Sequence, residues 1–409
     1  MLLLPALLLL GAYAYDNNST LSVDSPRGWN SWSTDDVAGL LDLCFEEEVH
    51  QVADAMVSSG MRDQGYNLVL LDDCWSSVNR SSTGELQPDA ARFPSGIPAL
   101  VAYLSARGLA LGLYTCAGSK TCKYNRPGSY GHYATDAATL VGWGVSWIKA
   151  DNCAAPAGPA RSYFSNFSAA INATGVPTVF HSCEWGLDNV VSWGPSVTQV
   201  YRVRPDHLPF WWFNLPGAYP PGGQGTGDII EGMADPAVLA GQGPYSWPDP
   251  DVLHTGLFQT EAETQTEFSF WALWSAPLLL ATDPRNMSAF KASVVLNTEV
   301  LAVQRGQAAL GYGARRVRAD NATGEQLWVK SRGEGGEAVV LLYNSNDWEA
   351  RDLSVSWEEL GGGWPAGVAL DGRDLWSHSA AFAAQSTGAT AAAVPPHGVR
   401  MWRLSVAAQ

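Results

Sequence analysis

The 409 residues carry 24 Lys+Arg against 40 Asp+Glu, a formal net charge of -16, with 46% hydrophobic and 16% charged residues. An acidic surface of this kind repels phosphate backbones and anionic membranes, which excludes nucleic acid as a partner, and so apolar a composition excludes a disordered chain. The length fits a barrel of about 250 to 300 residues followed by a smaller domain.

At the N-terminus, Met1–Leu10 is a short apolar run that ends in Ala12-Tyr13-Ala14, a small-x-small pattern suited to signal peptidase. Residues 1–14 are therefore read as a signal peptide, and the protein as one of the secretory pathway, bound for the exterior, the cell wall or a vacuole or lysosome. Sequons starting at Asn17, Asn18, Asn79, Asn166, Asn172, Asn286 and Asn321 agree with that route. No later stretch reaches about 18 uninterrupted apolar residues, so no membrane span is expected.

From Arg27 onward, short apolar runs recur at Gly28–Trp32, Asn67–Leu71, Leu109–Tyr114, Val145–Ala150, Thr178–Ser182, Val197–Val203, weakly at Ser246–Trp247, and at Pro277–Ala281. Eight near-continuous hydrophobic strands with mostly helical connections predict a (β/α)8 TIM barrel over residues 24–308. One connection is a helix over Glu46–Ser59, where Val49, Val52, Ala53, Met56 and Val57 fall on one face. Between Pro205 and Gly243, closely spaced Pro and Gly forbid a long regular element and predict an active-face loop. Past Gly311 the pattern alternates, as in Gln326–Lys330, Ala338–Tyr343 and Val399–Leu404, which predicts a C-terminal antiparallel β-sandwich domain over 309–409.

In a parallel barrel, the residues that close each strand point into the common active face. The second run ends in Asp72-Asp73-Cys74-Trp75, the fourth in Lys149-Ala150-Asp151-Asn152-Cys153, the fifth in Cys183-Glu184-Trp185, and the sixth in Arg202-Val203-Arg204-Pro205-Asp206. Any one of these Asp residues alone reads equally as a cap for the following helix. Collected on one rim, they form the inventory a sugar needs, with charged groups for its hydroxyls and Trp for its apolar face. Lys149 and Asp151 share parity on one strand, so the Lys is expected to hold the carboxylate ionised, as suits a nucleophile. Asp206 lies in a loop with Phe210, Trp211, Trp212 and Phe213, whose desolvation is expected to raise its pKa and make it a general acid. Scattered His and the absence of paired Cys-x-x-Cys knuckles predict no metal, and nothing calls for a cofactor.

These motifs resemble the melibiase-type α-galactosidases of glycoside hydrolase family 27. The resemblance runs from about Arg27 to Leu404 through Gly28-Trp29-Asn30-Ser31-Trp32, Asp72-Asp73-Cys74-Trp75, Gly112-Leu113-Tyr114, Ser182-Cys183-Glu184-Trp185-Gly186, Asp249-Pro250-Asp251 and Trp271-Ala272-Leu273-Trp274, in the family's order. It implies a retaining exo-glycosidase acting on terminal α-galactose, with Asp151 as nucleophile and Asp206 as acid/base. It also implies that Asp72, Asp73 and Lys149 bind the O3, O4 and O6 side of the sugar and that Trp29 lines the pocket. Cys183, Glu184, Trp185 and Arg202 are placed by it around the 2-position, and disulfides at Cys44–Cys74 and Cys122–Cys153. The partner is then an oligosaccharide or small molecule with terminal α-galactose. Family members that accept N-acetylgalactosamine have small residues near the position of Glu184, so the resemblance implies that Glu184 goes with a free 2-hydroxyl, and the Asp72-Asp73 pair argues similarly against the β-L-arabinopyranosidases. An α-N-acetylgalactosaminidase, an arabinopyranosidase and a non-catalytic galactose-binding homologue stay open beside it.

The sequence departs from the family pattern in three places. Cys116 stands where the family usually has Asp, Ala150 replaces an aromatic residue, and Val203-Arg204-Pro205 replaces small polar residues. Cys116 and Cys183 end strands three and five with strand four between them, too far apart for a direct bridge.

Overall fold

The computed structural model describes residues 15–32, 42–213, 222–333, 335–361, 363–364 and 367–407, so the signal-peptide segment 1–14 lies outside them. Eight short strands, β1 (Arg27–Asn30), β2 (Tyr66–Leu71), β3 (Ala110–Cys116), β4 (Trp147–Asp151), β5 (Val179–Cys183), β6 (Val200–Arg202), β7 (Trp247–Asp249) and β8 (Leu278–Leu280), pair in parallel in the order β8-β1-β2-β3-β4-β5-β6-β7. Spatial order thus follows chain order. The ring closes where Leu253, just past β7, bridges Leu280 through Leu253 N–H to Leu279 O and Ala281 N–H to Leu253 O, each 2.9 Å.

Parity along the strands builds both the core and the site. Leu68, Leu70, Trp147, Val179, Val200, Trp247 and Leu279 form one apolar cluster inside the ring, whereas Val69, Leu71, Ile148, Phe180 and Tyr201 belong to the larger core shared with the helices. Gly112 on β3 belongs to the inner layer, since a Cβ there would come within 2.8 Å of Leu70 and 3.2 Å of Trp147. The next inward positions carry polar groups, so the barrel is apolar below and charged at its carboxyl rim.

Helices α1 (Glu46–Ser58), α2 (Ile97–Ser105), α3 (Tyr133–Gly142), α4 (Ala160–Ala173) and α5 (Val190–Val197) connect the first six strands. On α1, Val49, Val52, Ala53 and Met56 are buried as the spacing predicts, and Glu46, Glu47 and Glu48 in its first turn complement the helix dipole. One element differs from its expected bounds. The run Val197–Val203 is a strand only over Val200–Arg202, because α5 extends to Val197. Gly194 lets that helix settle onto Tyr201, where a Cβ would come within 2.7 Å of the ring. The run is therefore shared between a helix end and a strand.

After β6 the chain forms a two-residue bridge, Asp206–His207 with Gly223–Gln224, before α6 (Thr226–Gly232); α7 (Glu261–Leu273) follows β7. Strands β9 (Arg315–Asp320), β10 (Glu325–Lys330), β11 (Glu337–Asn344), β12 (Arg351–Ser356), β13 (Leu370–Asp374), β14 (Ser379–Gln385), β15 (Gly388–Val394) and β16 (Val399–Val406) make the C-terminal sandwich. Its six-stranded sheet runs β9-β10-β11-β16-β13-β14, and β12 pairs with β15 opposite it, all antiparallel. Phe270 and Trp274 of the barrel meet Trp328 and Tyr343 of the sandwich in a buried aromatic joint. Lys330 is buried at the same joint, donating to Ser275 Oγ (2.6 Å) and Val303 O (2.8 Å), and burial pushes its pKa down to about 7.

Disulfides join Cys44 to Cys74 and Cys122 to Cys153, while Cys116 and Cys183 are buried free thiols. Sequence separations of 30 and 31 residues make each closure worth about 3 to 4 kcal/mol in the chain-entropy account. No helix among the described residues is long and apolar enough to cross a membrane.

Candidate active site

The rim inherits its groups from strand register. Tyr114, Lys149 and His181 lie side by side on β3, β4 and β5, and one inward step higher Cys116, Asp151 and Cys183 form the next row. Asp72 continues the inward series of Leu68 and Leu70 just past β2. Asp151 is thus placed by hydrogen-bonded neighbours on both sides.

Among the described residues, each oxygen of Asp151 has one donor. Tyr114 Oη donates to Oδ2 at 3.0 Å and the Asn152 N–H to Oδ1 at 3.0 Å. Cys122 Sγ, which its disulfide leaves without a proton, touches Oδ2 at 3.2 Å. Burial pushes the Asp151 pKa up to about 7; Lys149 pulls it down, and Asp206 and Asp72 push it further up. Burial and Asp151 both raise the Tyr114 phenol well above its usual value, so it stays a donor.

Lys149 favours the ionised form of Asp151, as its place on the strand suggests, but from a distance. The ammonium of Lys149 lies 2.7 Å from Asp72 Oδ2, and its charge reaches Asp151 only through space. Burial opposes the Lys149 charge, but Asp72, Cys183 and Asp151 outweigh it and raise the pKa. Asp72 is itself held, accepting from Asp73 N–H (2.9 Å), while its own N–H donates to Ser31 Oγ (2.9 Å). Asp73 Oδ2 accepts from the Lys123 (2.7 Å) and Tyr124 (3.3 Å) N–H groups, and burial raises its pKa.

Arg202 is the hub of the other half. From β6 its Nη2 reaches Asp206 Oδ1 at 3.0 Å and Asp251 Oδ2 at 2.9 Å, and Nη1 donates to Cys183 Sγ at 3.3 Å. Burial works against its charge, yet Asp251, Cys183 and Asp206 hold the guanidinium protonated. Asp251 also accepts from the His207 N–H at 2.8 Å, which fixes the residue after Asp206. Burial pushes Asp251 up to about 6 against the pull of Arg202.

Asp206 is partly buried, and the aromatic residues that follow it find partners of their own. Its side chain is 21% exposed. Trp211 stacks on His397 of the sandwich (4.5 Å between centroids), Trp212 Nε1 donates to Asp347 at 2.6 Å, and Phe210 pairs with Phe258. Trp211 and Trp212 thus find their partners in the sandwich, and Phe210 in the barrel.

Three buried polar atoms on the predicted binding residues have no hydrogen-bond partner among the described residues: Asp73 Oδ1, Glu184 Oε2 and Arg202 Nε. Buried polar groups are almost always satisfied, so such atoms suit a ligand rich in hydroxyls. Glu184 is driven up to about 8, first by burial and then by Asp188. Trp185 is buried at φ 55°, a left-handed conformation that costs a bulky residue on the order of 1 to 3 kcal/mol. Trp29 is fully buried, with its indole N–H on Thr282 O at 3.0 Å, so it backs the rim without presenting surface.

Sequence reasoning missed Tyr114 and Asp251 as site residues. Both stood in quoted motifs. Tyr114 has the inward parity of Gly112, and Asp251 follows the weak seventh strand, so the rule applied to the other strand ends reaches them too. Asp249, with His181 Nε2 at 3.0 Å, is buried beneath.

A family model described as alpha galactosidase A matches residues 26–306, and one described as the alpha galactosidase C-terminal beta sandwich domain matches 322–404. An alpha-galactosidase of Oryza sativa subsp. japonica is 36% identical over 379 residues, covering 92% of this chain and 84% of that protein. An alpha-galactosidase of Cyamopsis tetragonoloba is 34% identical over 389 residues, covering 93% and 86%. The crystal structure of alpha-galactosidase I from Mortierella vinacea superposes with TM-score 0.84 at 27% identity, covering 96% of this chain and all of that one.

Proposed function

The chain belongs to the melibiase-type α-galactosidases of glycoside hydrolase family 27, and on that premise we propose that it hydrolyses terminal α-galactosyl residues by double displacement. Asp151 attacks the anomeric carbon as the bond to the glycosidic oxygen breaks, and Asp206 gives that oxygen its proton. A galactosyl ester on Asp151 results. Asp206, now a carboxylate, takes a proton from water, whose oxygen attacks the same carbon, frees α-galactose and restores Asp151. The observation that carries this reading is the pairing of a buried Asp151, held by Tyr114 and the Asn152 N–H, with a more exposed Asp206 held by Arg202.

Asp72, Asp73 and Lys149 are assigned to the O3, O4 and O6 side of galactose, and Cys183, Glu184, Trp185 and Arg202 to the 2-position. The unpartnered Oε2 of Glu184 supports a free 2-hydroxyl there. Catalysis is assigned to the unit 24–308. We assign the protein to the secretory pathway, with cleavage after Ala14 and glycosylation at exposed sequons. Asn17 is set apart from these because its amide nitrogen donates to Thr178 O and its Oδ1 accepts from Gln199 Nε2 at 2.7 Å.

Initial rates on p-nitrophenyl α-galactoside, the α-N-acetylgalactosaminide and the β-L-arabinopyranoside test the reading, with Asp151→Asn as control. Turnover of the first alone, lost in the control, is expected. Galactose binding without turnover of any would instead mark a sugar-binding protein.

A further inference from the structure

Between β7 and α7 the chain turns through a strained segment. Asp251 (φ 97°), Thr255 (φ 42°) and Phe258 (φ 53°) all take left-handed backbone conformations. Each costs a residue with a side chain on the order of 1 to 3 kcal/mol and persists only where the surroundings over-determine it. The hydrogen bonds that do so converge on Glu267 of α7.

Glu267 is fully buried. Its Oε1 accepts from the His254 N–H (3.0 Å) and Gln259 Nε2 (3.0 Å), and its Oε2 from the Thr255 N–H (2.9 Å). Among the described residues no Lys or Arg forms an ion pair with it; His207 Nδ1 lies 3.9 Å away, and burial, with His254, holds that imidazole neutral. The carboxyl therefore serves the backbone of the turn.

From Glu267 the network runs to the residue beside the acid. His254 Nε2 donates to His207 O (2.9 Å). His207 Nδ1 meets Val252 O (2.8 Å), which can only accept, so the neutral ring carries its proton on Nδ1 and its Nε2 accepts from Thr226 Oγ1 (2.9 Å) at the start of α6. Gln259 Nε2 reaches the same hydroxyl at 3.4 Å and closes the circuit. With its N–H on Asp251, every polar group of His207 is bonded. Trp271, one helical turn after Glu267, stacks on the His207 ring at 5.2 Å and donates to Asp251 O at 2.8 Å.

Resting on the function proposed above, we propose that Glu267 is a positioning residue for the acid/base: through the turn, His254 and His207 it fixes the backbone from which Asp206 reaches the glycosidic oxygen. Arg202 holds the carboxyl itself, and Glu267 anchors the chain that carries it. A general acid displaced by even about 1 Å loses rate in proportion to how much protonation the leaving group needs.

Glu267→Gln tests this, since the amide turns one acceptor into a donor against the His254 or Thr255 N–H. On methyl α-galactoside, whose alcohol must be protonated to leave, kcat/KM is expected to fall about 30-fold, and on an activated dinitrophenyl α-galactoside by less than about threefold. An equal loss on both, which marks a merely structural role, or no loss on either overturns the proposal. If Glu267→Gln shows no cooperative thermal melt, Thr226→Val decides instead: a loss of about threefold or more confined to the methyl galactoside upholds the network, and any other pattern overturns it. If the wild type hydrolyses neither substrate, the family function fails and hydrogen–deuterium exchange of the folded variant decides the anchor separately. Amides of residues 206–208 that exchange at least about tenfold faster, with those of 149–151 unchanged, uphold it. Unchanged exchange at 206–208, or a rise at both, overturns it.

Discussion

The two carboxyls assigned to the chemistry share one rim but are held in opposite ways. Asp151 ends a strand, is buried, and has Cys116 and Cys183 in register on either side; the sheet itself fixes it. Asp206 belongs to a two-residue bridge in an irregular loop, is partly exposed, and depends on Arg202, which depends in turn on Asp251. A covalent nucleophile must meet carbon along a defined line, and register provides that. An acid/base that serves leaving group and water in turn needs access, and a charge tether provides position without enclosing it.

The largest expected effect strikes the register side. Asp151→Asn should lower kcat/KM by roughly 10^4-fold or more on every α-galactoside, because no leaving-group quality replaces a nucleophile. Asp206→Asn should behave differently, losing about 10^2 to 10^4-fold on alkyl galactosides but far less on aryl galactosides whose leaving groups need little protonation. Equal losses in the two variants across a leaving-group series would remove the contrast.

Next in size is the tether. Asp251→Asn weakens the hold on Arg202 and through it on Asp206, with an expected loss of about 10^2-fold, mainly in kcat. A loss confined to KM would place Asp251 in galactose binding instead.

Smaller effects read the electrostatics. Lys149 lowers the Asp151 pKa, so Lys149→Met should shift the acidic limb of the kcat/KM profile to higher pH by about one unit or more, whatever it does to the maximum. An unmoved limb would show that Lys149 serves Asp72 alone. Stability should follow the raised carboxyls, Asp151 (about 7), Glu184 (about 8), Glu267 (about 7) and Asp251 (about 6). Raised folded-state values mean that the folded protein binds more protons than the unfolded chain between about pH 4 and 8. Their contribution is full below the unfolded values and is lost as pH rises through the folded ones. Thermal melts should therefore give a Tm higher at pH 5 than at pH 8 by roughly 3 °C or more, with a smaller difference in Glu184→Gln.

Much of this was legible along the chain. The eight apolar runs located the strands, and parity put Lys149 and Asp151 on the inner face. Parity names a face, however, and not a partner. Asp72, two strands away, takes the ammonium because inward side chains converge on the barrel axis. The partners of the aromatic run after Asp206 were hidden for a related reason, since Trp211 and Trp212 find His397 and Asp347 in another domain, beyond the reach of local pattern. The end of α5 at Val197 was hidden too, because an apolar run reads the same in a helix end and in a strand.

Azide rescue of two truncated variants tests the division of roles most directly. With an activated α-galactoside and azide, Asp151→Ala should yield β-galactosyl azide, the anion replacing the nucleophile in a single inversion, and Asp206→Ala should yield α-galactosyl azide from the ester on Asp151. The opposite pattern of anomers, or α-azide from Asp151→Ala, would contradict the assignment.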